Sequence, residues 1–196
     1  MSSASSGEIQ VIPVVAPLIA GQQEILRTVV TEACVDMFTS CGFATRIVDL
    51  SGPVEKALQN LVGFIGFVGA VRGSLMISAP AGLFRLTHPE LGSKIDLSKA
   101  DLFDWTGEMT NQLLGRVKRR FCALGRDFQV STPTAIEGRE LVRRFPVRAG
   151  VLDLALLVGG HVLAVCFEVT PPVDGLVFPD PAQPMEVSSE GDVVLF

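Results

Sequence analysis

A long amphipathic segment, residues 99–124, constrains the fold of this 196-residue chain most strongly. At about 100° per residue, its large apolar side chains fall on one side of a helix. These side chains are Leu102, Phe103, Met109, Leu113, Leu114, Val117 and Phe121. Gly125 follows directly, and glycine is the residue type that commonly ends a helix. The segment therefore predicts a long helix with one side on a protein core and the other in solvent.

Strand-like runs lie before and after this helix. They are residues 9–15, 44–50, 62–67, 74–78, 128–136, 141–148, 150–158 and 161–169. The pair Gly159-Gly160 between the last two runs is a signal for a two-residue hairpin turn. Another amphipathic helix carries apolar residues from Ile25 to Phe38, and a short helix at residues 81–87 follows a proline. This order predicts one α+β domain whose C-terminal half is a β-meander.

The ends of the chain differ in composition from its middle. Residues 1–8 are rich in serine, and residues 171–196 combine several prolines with acidic residues. We therefore predict a flexible leader at 1–8, a folded domain at 9–170 and an acidic, proline-rich tail at 171–196. The tail ends in four apolar residues, which could act as a short docking peptide or simply pack against the domain.

Charge and hydropathy exclude several classes of function. The formal net charge is -5, which is the wrong sign for a protein that binds a phosphate backbone, so nucleic acid is not an expected partner. No apolar run reaches the roughly 18 residues that a membrane-spanning helix needs. The leader lacks the basic residues of a secretion signal, so a cytoplasmic location is expected.

The cysteines and histidines offer little material for metal or nucleophilic chemistry. The four cysteines form no Cys-x-x-Cys pair, so they predict reduced and mostly buried thiols rather than a zinc site. The two histidines, His88 and His161, stand far apart and next to turn residues. We therefore expect no metal site in this chain.

The solvent side of the long helix carries an unusual stripe. Asp104, Glu108, Asn111 and Gly115 follow the spacing i, i+4, i+7, i+11, which places all four on one solvent-facing line. Asparagine has modest helix propensity, and glycine costs about 1 kcal/mol relative to alanine inside a helix. A missing side chain at Gly115 would let a partner's backbone approach the helix. The alternative is a solvated face that tolerates one glycine.

The surroundings of the stripe resemble the chemotaxis phosphatase family of CheX, CheC and FliY. The family pattern is Asp or Ser, three residues, Glu, two residues, Asn, and a proline some twenty residues later. Asp104, Glu108, Asn111 and Pro133 fit it, with 21 residues between the last two. The segments that accompany the pattern are Ile-Gly-Phe-Val-Gly at 65–69, Gly-Ser-Leu-Met-Ile-Ser at 73–78 and Ser-Thr-Pro-Thr at 131–134. The resemblance spans about residues 10–170 and is closest to CheX, which has one such helix.

The resemblance implies a fold, an activity and partners. The family fold is an antiparallel sheet covered by two long helices, and CheX pairs into a homodimer through its sheet edges. Its members hydrolyse the phospho-aspartate of a CheY-type receiver, whose own Mg²⁺ and lysine are already in place, so no cofactor of this chain is required. By analogy, Asn111 would align the attacking water and Glu108 would pair with the receiver's lysine. Asp104, Gly115 and Pro133 would contact the partner.

Two further features extend the resemblance. The first long helix aligns as Thr28, Glu32 and Val35, so only the second helix would retain the full motif; alternatively, Glu32 is an ordinary surface residue. Basic residues follow the motif and would steer an acidic receiver, or would simply complement the negative end of the helix dipole. They are Arg116, Lys118, Arg119 and Arg120.

One other function remains as an alternative hypothesis. A non-catalytic binding module or adaptor would use the same helix face to recognise receivers without accelerating hydrolysis. A nucleotide phosphate loop in the glycine-rich segment 63–73 is disfavoured, because this segment lacks Gly-Lys-Ser/Thr and precedes a strand.

Overall fold

A seven-stranded antiparallel sheet forms the centre of the protein. The computed structural model describes residues 20–48, 61–91, 97–138, 141 and 150–170. Its helices are α1 (Ala20–Ser40), α2 (Ala81–Thr87) and α3 (Lys99–Ala123). Its strands are β1 (Thr45–Val48), β2 (Leu61–Gly69), β3 (Arg72–Ala79), β4 (Phe128–Val130), β5 (Thr134–Glu137), β6 (Gly150–Val158) and β7 (His161–Thr170).

The strands follow the order β1-β6-β7-β3-β2-β4, and β5 also pairs with β2. The hairpins β2–β3 and β6–β7 lie where the glycine-rich turns predict them. The predicted fold class, an α+β antiparallel sheet covered by long helices, is confirmed. The predicted strand at 9–15, the leader and the tail lie outside the described residues, as does nearly all of the predicted strand at 141–148.

One predicted strand, residues 128–136, is wrong as a single element. It is divided into β4 and β5, which pair with successive parts of β2. Val130 lies opposite Phe67 and Thr134 lies opposite Phe64, so three residues of the edge face only two of β2. The extra residue produces a bulge at 131–133, and Pro133 within it has no N–H to donate to the ladder.

Helices α1 and α3 pack against each other and against the sheet. They run antiparallel, because Ser40 near the end of α1 contacts Arg116, whereas the earlier residues Glu32 and Asp36 contact Arg120. Helix α1 begins before the first apolar residue used to predict it. Its first turn contains no acidic residue, and its predicted end at Gly42 agrees with the observed end at Ser40 within two residues.

An aromatic cluster holds the second half of α3 on the sheet. The rings of Phe67 and Phe128 are 4.6 Å apart, and those of Phe121 and Phe128 are 5.7 Å apart. Phe167 on β7 lies within 6.0 Å of both Phe67 and Phe121. All four side chains are buried, so they fix how α3 lies across the strands.

The first half of α3 approaches the sheet closely at Gly63 of β2. A Cβ atom at this position would lie 2.0 Å from Thr110 Oγ1 and 3.1 Å from the backbone oxygen of Thr106. Both threonines are buried, and each hydroxyl donates to the carbonyl one turn earlier in the helix. Glycine at position 63 therefore sets the distance between the sheet and the part of α3 that carries Glu108 and Asn111.

Candidate functional site

Helix α3 presents the predicted motif from a well-defined start. The Ser98 side chain accepts from the Asp101 N–H at 3.2 Å, and the Asp101 carboxylate accepts from the Ser98 N–H at 2.8 Å. This reciprocal capping box satisfies N–H groups that the first turn cannot pair internally. At the other end, Gly125 adopts φ +70°, the left-handed conformation that terminates a helix. The helix boundaries predicted from the sequence agree with these ends.

The stripe residues are largely where the helical spacing predicts them. Asp104, Glu108 and Gly115 are exposed, but Asn111 is half-buried, so the expectation that all four face solvent is wrong for Asn111. Helix geometry explains the difference. Asn111 lies one turn after Gly107, which is buried and faces Pro133 at the sheet edge, so this flank of the stripe is turned toward the sheet.

Two polar side chains on this stripe differ in their partners. The Gln112 amide Nε2 donates to Glu108 Oε1 at 2.8 Å, which restrains the carboxylate along the helix. Among the described residues, the side-chain amide of Asn111 has no hydrogen-bond partner. An amide both donates and accepts at any physiological pH, so Asn111 can bind a water molecule in a fixed orientation.

Pro133 reaches the same helix although it is distant in sequence. A Cβ at Gly107 would lie 3.8 Å from both Cβ and Cγ of Pro133, so the ring faces a position on α3 that has no side chain. Ser131 fixes the bulge on β2, because its N–H donates to the Gly66 oxygen at 2.9 Å and its Oγ accepts from the Gly66 N–H at 3.0 Å. The structure therefore brings Pro133 next to the turn that carries Glu108 and Asn111.

Gly115 leaves the helix surface open. No atom lies within 4 Å of where its Cβ would be, and its φ is not in the left-handed region. The glycine is therefore required neither by packing within the described part of the chain nor by backbone conformation. This observation separates it from Gly63, where a close neighbour explains the absence of a side chain.

The basic residues beyond the motif have partners within the chain. Arg120 pairs with Glu32 at 3.4 Å and with Asp36. Lys118 pairs with Asp127 at 3.3 Å. These contacts favour the interpretation in which Glu32 is a surface residue, here one that ties α1 to α3. The guanidinium of Arg120 on α3 thus connects the two helices through its ion pairs with α1.

Arg116 is likewise engaged across the helix pair. Its Nη2 donates to Ser40 Oγ at 3.1 Å, and its Nη1 donates to the Gln112 backbone oxygen at 3.4 Å. The expectation that this basic group steers a partner is therefore weakened, because charges or donors of Arg116, Lys118 and Arg120 serve contacts inside the molecule.

The cysteines follow the sequence expectation only in part. Cys34 and Cys166 are buried, but Cys41 and Cys122 are exposed, so the prediction of mostly buried thiols is wrong. Burial raises the pKa of the Cys34 thiol to about 12, so it stays protonated. Partial burial, and a hydrogen bond donated to the Asp127 carboxylate, raise the pKa of Cys122.

Neither a metal site nor a membrane helix is found in the described part of the chain. The described residues contain no group of three or more His, Cys, Asp or Glu side chains placed to hold a metal ion. None of the helices that the structure describes combines the length and hydrophobicity that crossing a bilayer requires.

Two contributors to the site were not singled out from the sequence. Gln112 is one turn after Glu108, and that i, i+4 spacing could have revealed the pair. Gly107 gave no such signal, because its role depends on the distant Pro133.

The fold belongs to the class of antiparallel sheets covered by helices that solved CheX and CheC-like structures share. A CheX from Vibrio vulnificus matches with a TM-score of 0.64 and 19% identity over 75% of this chain and 97% of that chain. A CheC-like superfamily protein from Shewanella sp. PV-4 matches with a TM-score of 0.59 and 15% identity, over 74% and 96% of the two chains. A CheX from Borrelia burgdorferi, solved in complex with CheY, BeF3 and Mg²⁺, matches with a TM-score of 0.51 and 14% identity over 74% and 96%.

The sequence itself matches a family model. Residues 61–152, which include α3 and the strands β2 to β5, match the family described as chemotaxis phosphatase CheX. No curated protein sequence matches the chain significantly. The chain is therefore similar in sequence to the CheX family over residues 61–152, and it shares the fold of the solved CheX and CheC-like structures.

Proposed function

We propose that this protein is a phosphatase that hydrolyses the phospho-aspartate of a CheY-type receiver. The match of residues 61–152 to the family described as chemotaxis phosphatase CheX supports the general kind of activity. The observation that carries the finer proposal is the Asn111 amide, which is half-buried, has no hydrogen-bond partner among the described residues and lies one turn from the exposed Glu108. The Borrelia relative, whose structure contains CheY, supports a receiver as partner.

The proposed chemistry needs an aligned water more than a strong base. Phosphoryl transfer passes through a loose transition state, so positioning and charge stabilisation supply most of the acceleration. In the proposal, the Asn111 amide holds a water in line with the phosphorus atom. The water oxygen bonds to phosphorus as the bond from phosphorus to the aspartate oxygen breaks, which releases inorganic phosphate and the free carboxylate. A 100-fold contribution would correspond to about 2.7 kcal/mol, which orientation can supply.

The remaining motif residues would hold the receiver in register. The exposed Glu108 carboxylate pairs with the receiver's lysine, and Asp104 and Pro133 contact the receiver beside it. Gly115 lets the receiver's backbone approach α3, since no side chain occupies that part of the surface. The Mg²⁺ that neutralises the phosphoryl oxygens belongs to the receiver in this proposal, so the chain needs no cofactor of its own.

Assembly and location form part of the same proposal. Strand β1 and the β4–β5 pair are the two edges of the sheet among the described strands, and an edge is commonly covered by a symmetric partner. We propose a homodimer formed through a sheet edge, which light scattering of the purified protein tests. A cytoplasmic location follows from the proposed substrate, because phosphorylated receivers are cytoplasmic.

A turnover experiment separates the phosphatase from the non-catalytic binding module. Phosphorylated, Mg²⁺-bound receiver is mixed in about tenfold excess with the protein, and the release of inorganic phosphate is followed. The proposal predicts several phosphates released per protein molecule at a rate above spontaneous decay. A receiver that binds but decays at its spontaneous rate would instead establish the binding module.

A further inference from the structure

We infer that Gln112 is a positioning residue for Glu108, so that it sets the affinity of this face for the receiver; the inference rests on the proposed function. Its basis is the hydrogen bond from Gln112 Nε2 to Glu108 Oε1 at 2.8 Å. Gln112 lies beside the stripe rather than on it, and its side chain is half-buried. It therefore acts through Glu108 and does not itself belong to the surface formed by the motif.

This hydrogen bond engages only one of the two carboxylate oxygens of Glu108. Oε1 is occupied by the Gln112 amide, whereas Oε2 has no partner among the described residues. A glutamate on a helix surface otherwise has three rotatable bonds and must lose that freedom when it pairs with a cation. Because Oε1 is already held, the carboxylate loses less freedom when Oε2 pairs with a cation on docking.

Contacts behind Gln112 restrict where its own side chain can go. Arg116, one turn further, donates to the Gln112 backbone oxygen and to Ser40 on α1. Its guanidinium therefore occupies the space between Gln112 and the end of α1. The Gln112 amide is left to extend along the helix in the other direction, toward Glu108.

The chemical nature of the amide matters as much as its position. A lysine four residues after a glutamate is a favourable helix pair, and it would form an ion pair with Glu108. Such a cation would neutralise the Glu108 carboxylate, which must form an ion pair with the receiver's lysine. Glutamine supplies a hydrogen-bond donor without a charge, so it orients Glu108 and leaves its negative charge available.

This role predicts a specific pattern in steady-state kinetics with a phosphorylated CheY-type receiver. Gln112→Ala should raise KM about threefold and leave kcat within about twofold, because the Glu108 side chain must then be immobilised on docking, which does not affect the chemistry. Gln112→Lys should raise KM further although it favours the helix. The unfolding midpoint, followed by the fluorescence of Trp105, should not fall in either variant, which separates this pattern from a loss of stability.

A double-mutant cycle tests whether Gln112 works through Glu108. In a Glu108→Ala background, Gln112→Ala should leave KM unchanged. An equal rise in KM with and without Glu108, or an unchanged KM in Gln112→Ala alone, would overturn the inference while leaving the phosphatase in place. If the wild-type protein does not accelerate receiver dephosphorylation at all, the proposed function and this inference fail together.

Discussion

Replacing Gly115 with alanine should stabilise the protein and impair its proposed activity. Glycine in an exposed helix interior is about 1 kcal/mol less favourable than alanine. No atom lies within 4 Å of the added Cβ and the backbone is not left-handed, so no steric cost offsets that gain. For a chain of this size, 1 kcal/mol corresponds to a rise in Tm of about 2–4 °C. The same methyl group would stand where the receiver's backbone approaches α3.

The expected loss of activity follows from the cost of one extra methyl group in a packed contact. That cost is about 1–3 kcal/mol, which corresponds to a fall in kcat/KM of about 5- to 150-fold. Thermal unfolding and receiver dephosphorylation are measured on the wild type and on Gly115→Ala. A matched control is Gly21→Ala, because Gly21 is an exposed position on α1 with equally open surroundings. It should not change the activity.

The two readouts move in opposite directions only if Gly115 serves docking. A Gly115→Ala variant that is more stable and fully active would refute the idea that the missing side chain admits a partner. A variant that is less stable would contradict the assignment of Gly115 to an unconstrained helix position.

Two other predictions concern packing and thiol chemistry. Gly63→Ala should lower the free energy of unfolding by about 2 kcal/mol, because its Cβ would overlap the buried hydroxyl of Thr110. As a control on the same strand, Gly66→Ala should lower it by less than about 1 kcal/mol. Equal losses for the two variants in urea unfolding would contradict this prediction. Asp127→Asn should speed alkylation of Cys122 at pH 8, because loss of the carboxylate lowers a thiol pKa that this carboxylate raises. Peptide mass spectrometry measures the rate with Cys41 as internal reference, and an unchanged ratio would be inconsistent with that cause.

The features that could be predicted from the sequence are the ones that repeat locally. The apolar face of α3, its end at Gly125 and the β2–β3 and β6–β7 hairpins all follow from periodicity and turn residues within short windows. The stripe of Asp104, Glu108 and Gly115 was predictable for the same reason, since helical spacing alone sets which residues share a face.

What could not be predicted depends on contacts between distant parts of the chain. The partial burial of Asn111 arises because its flank of the helix turns toward the sheet edge, which no local pattern encodes. The division of the edge strand depends on its register against β2, where Ser131 contacts Gly66 across 65 positions of sequence. The pairing of Arg120 with α1 likewise connects residues more than eighty positions apart. The sequence alone therefore predicted that this charge was available to a partner protein.

The Asn111 amide is the centre of this account, and one measurement tests it most directly. The decay of a phosphorylated, Mg²⁺-bound CheY-type receiver is followed at saturating concentrations of the wild type, of Asn111→Ala and of Gln129→Ala, which removes an exposed amide from β4 outside the stripe. We expect kcat to fall about 100-fold in Asn111→Ala, with receiver binding retained and with Gln129→Ala equal to the wild type. An Asn111→Ala variant that binds the receiver and keeps the wild-type kcat would contradict the proposed role of this amide in aligning water.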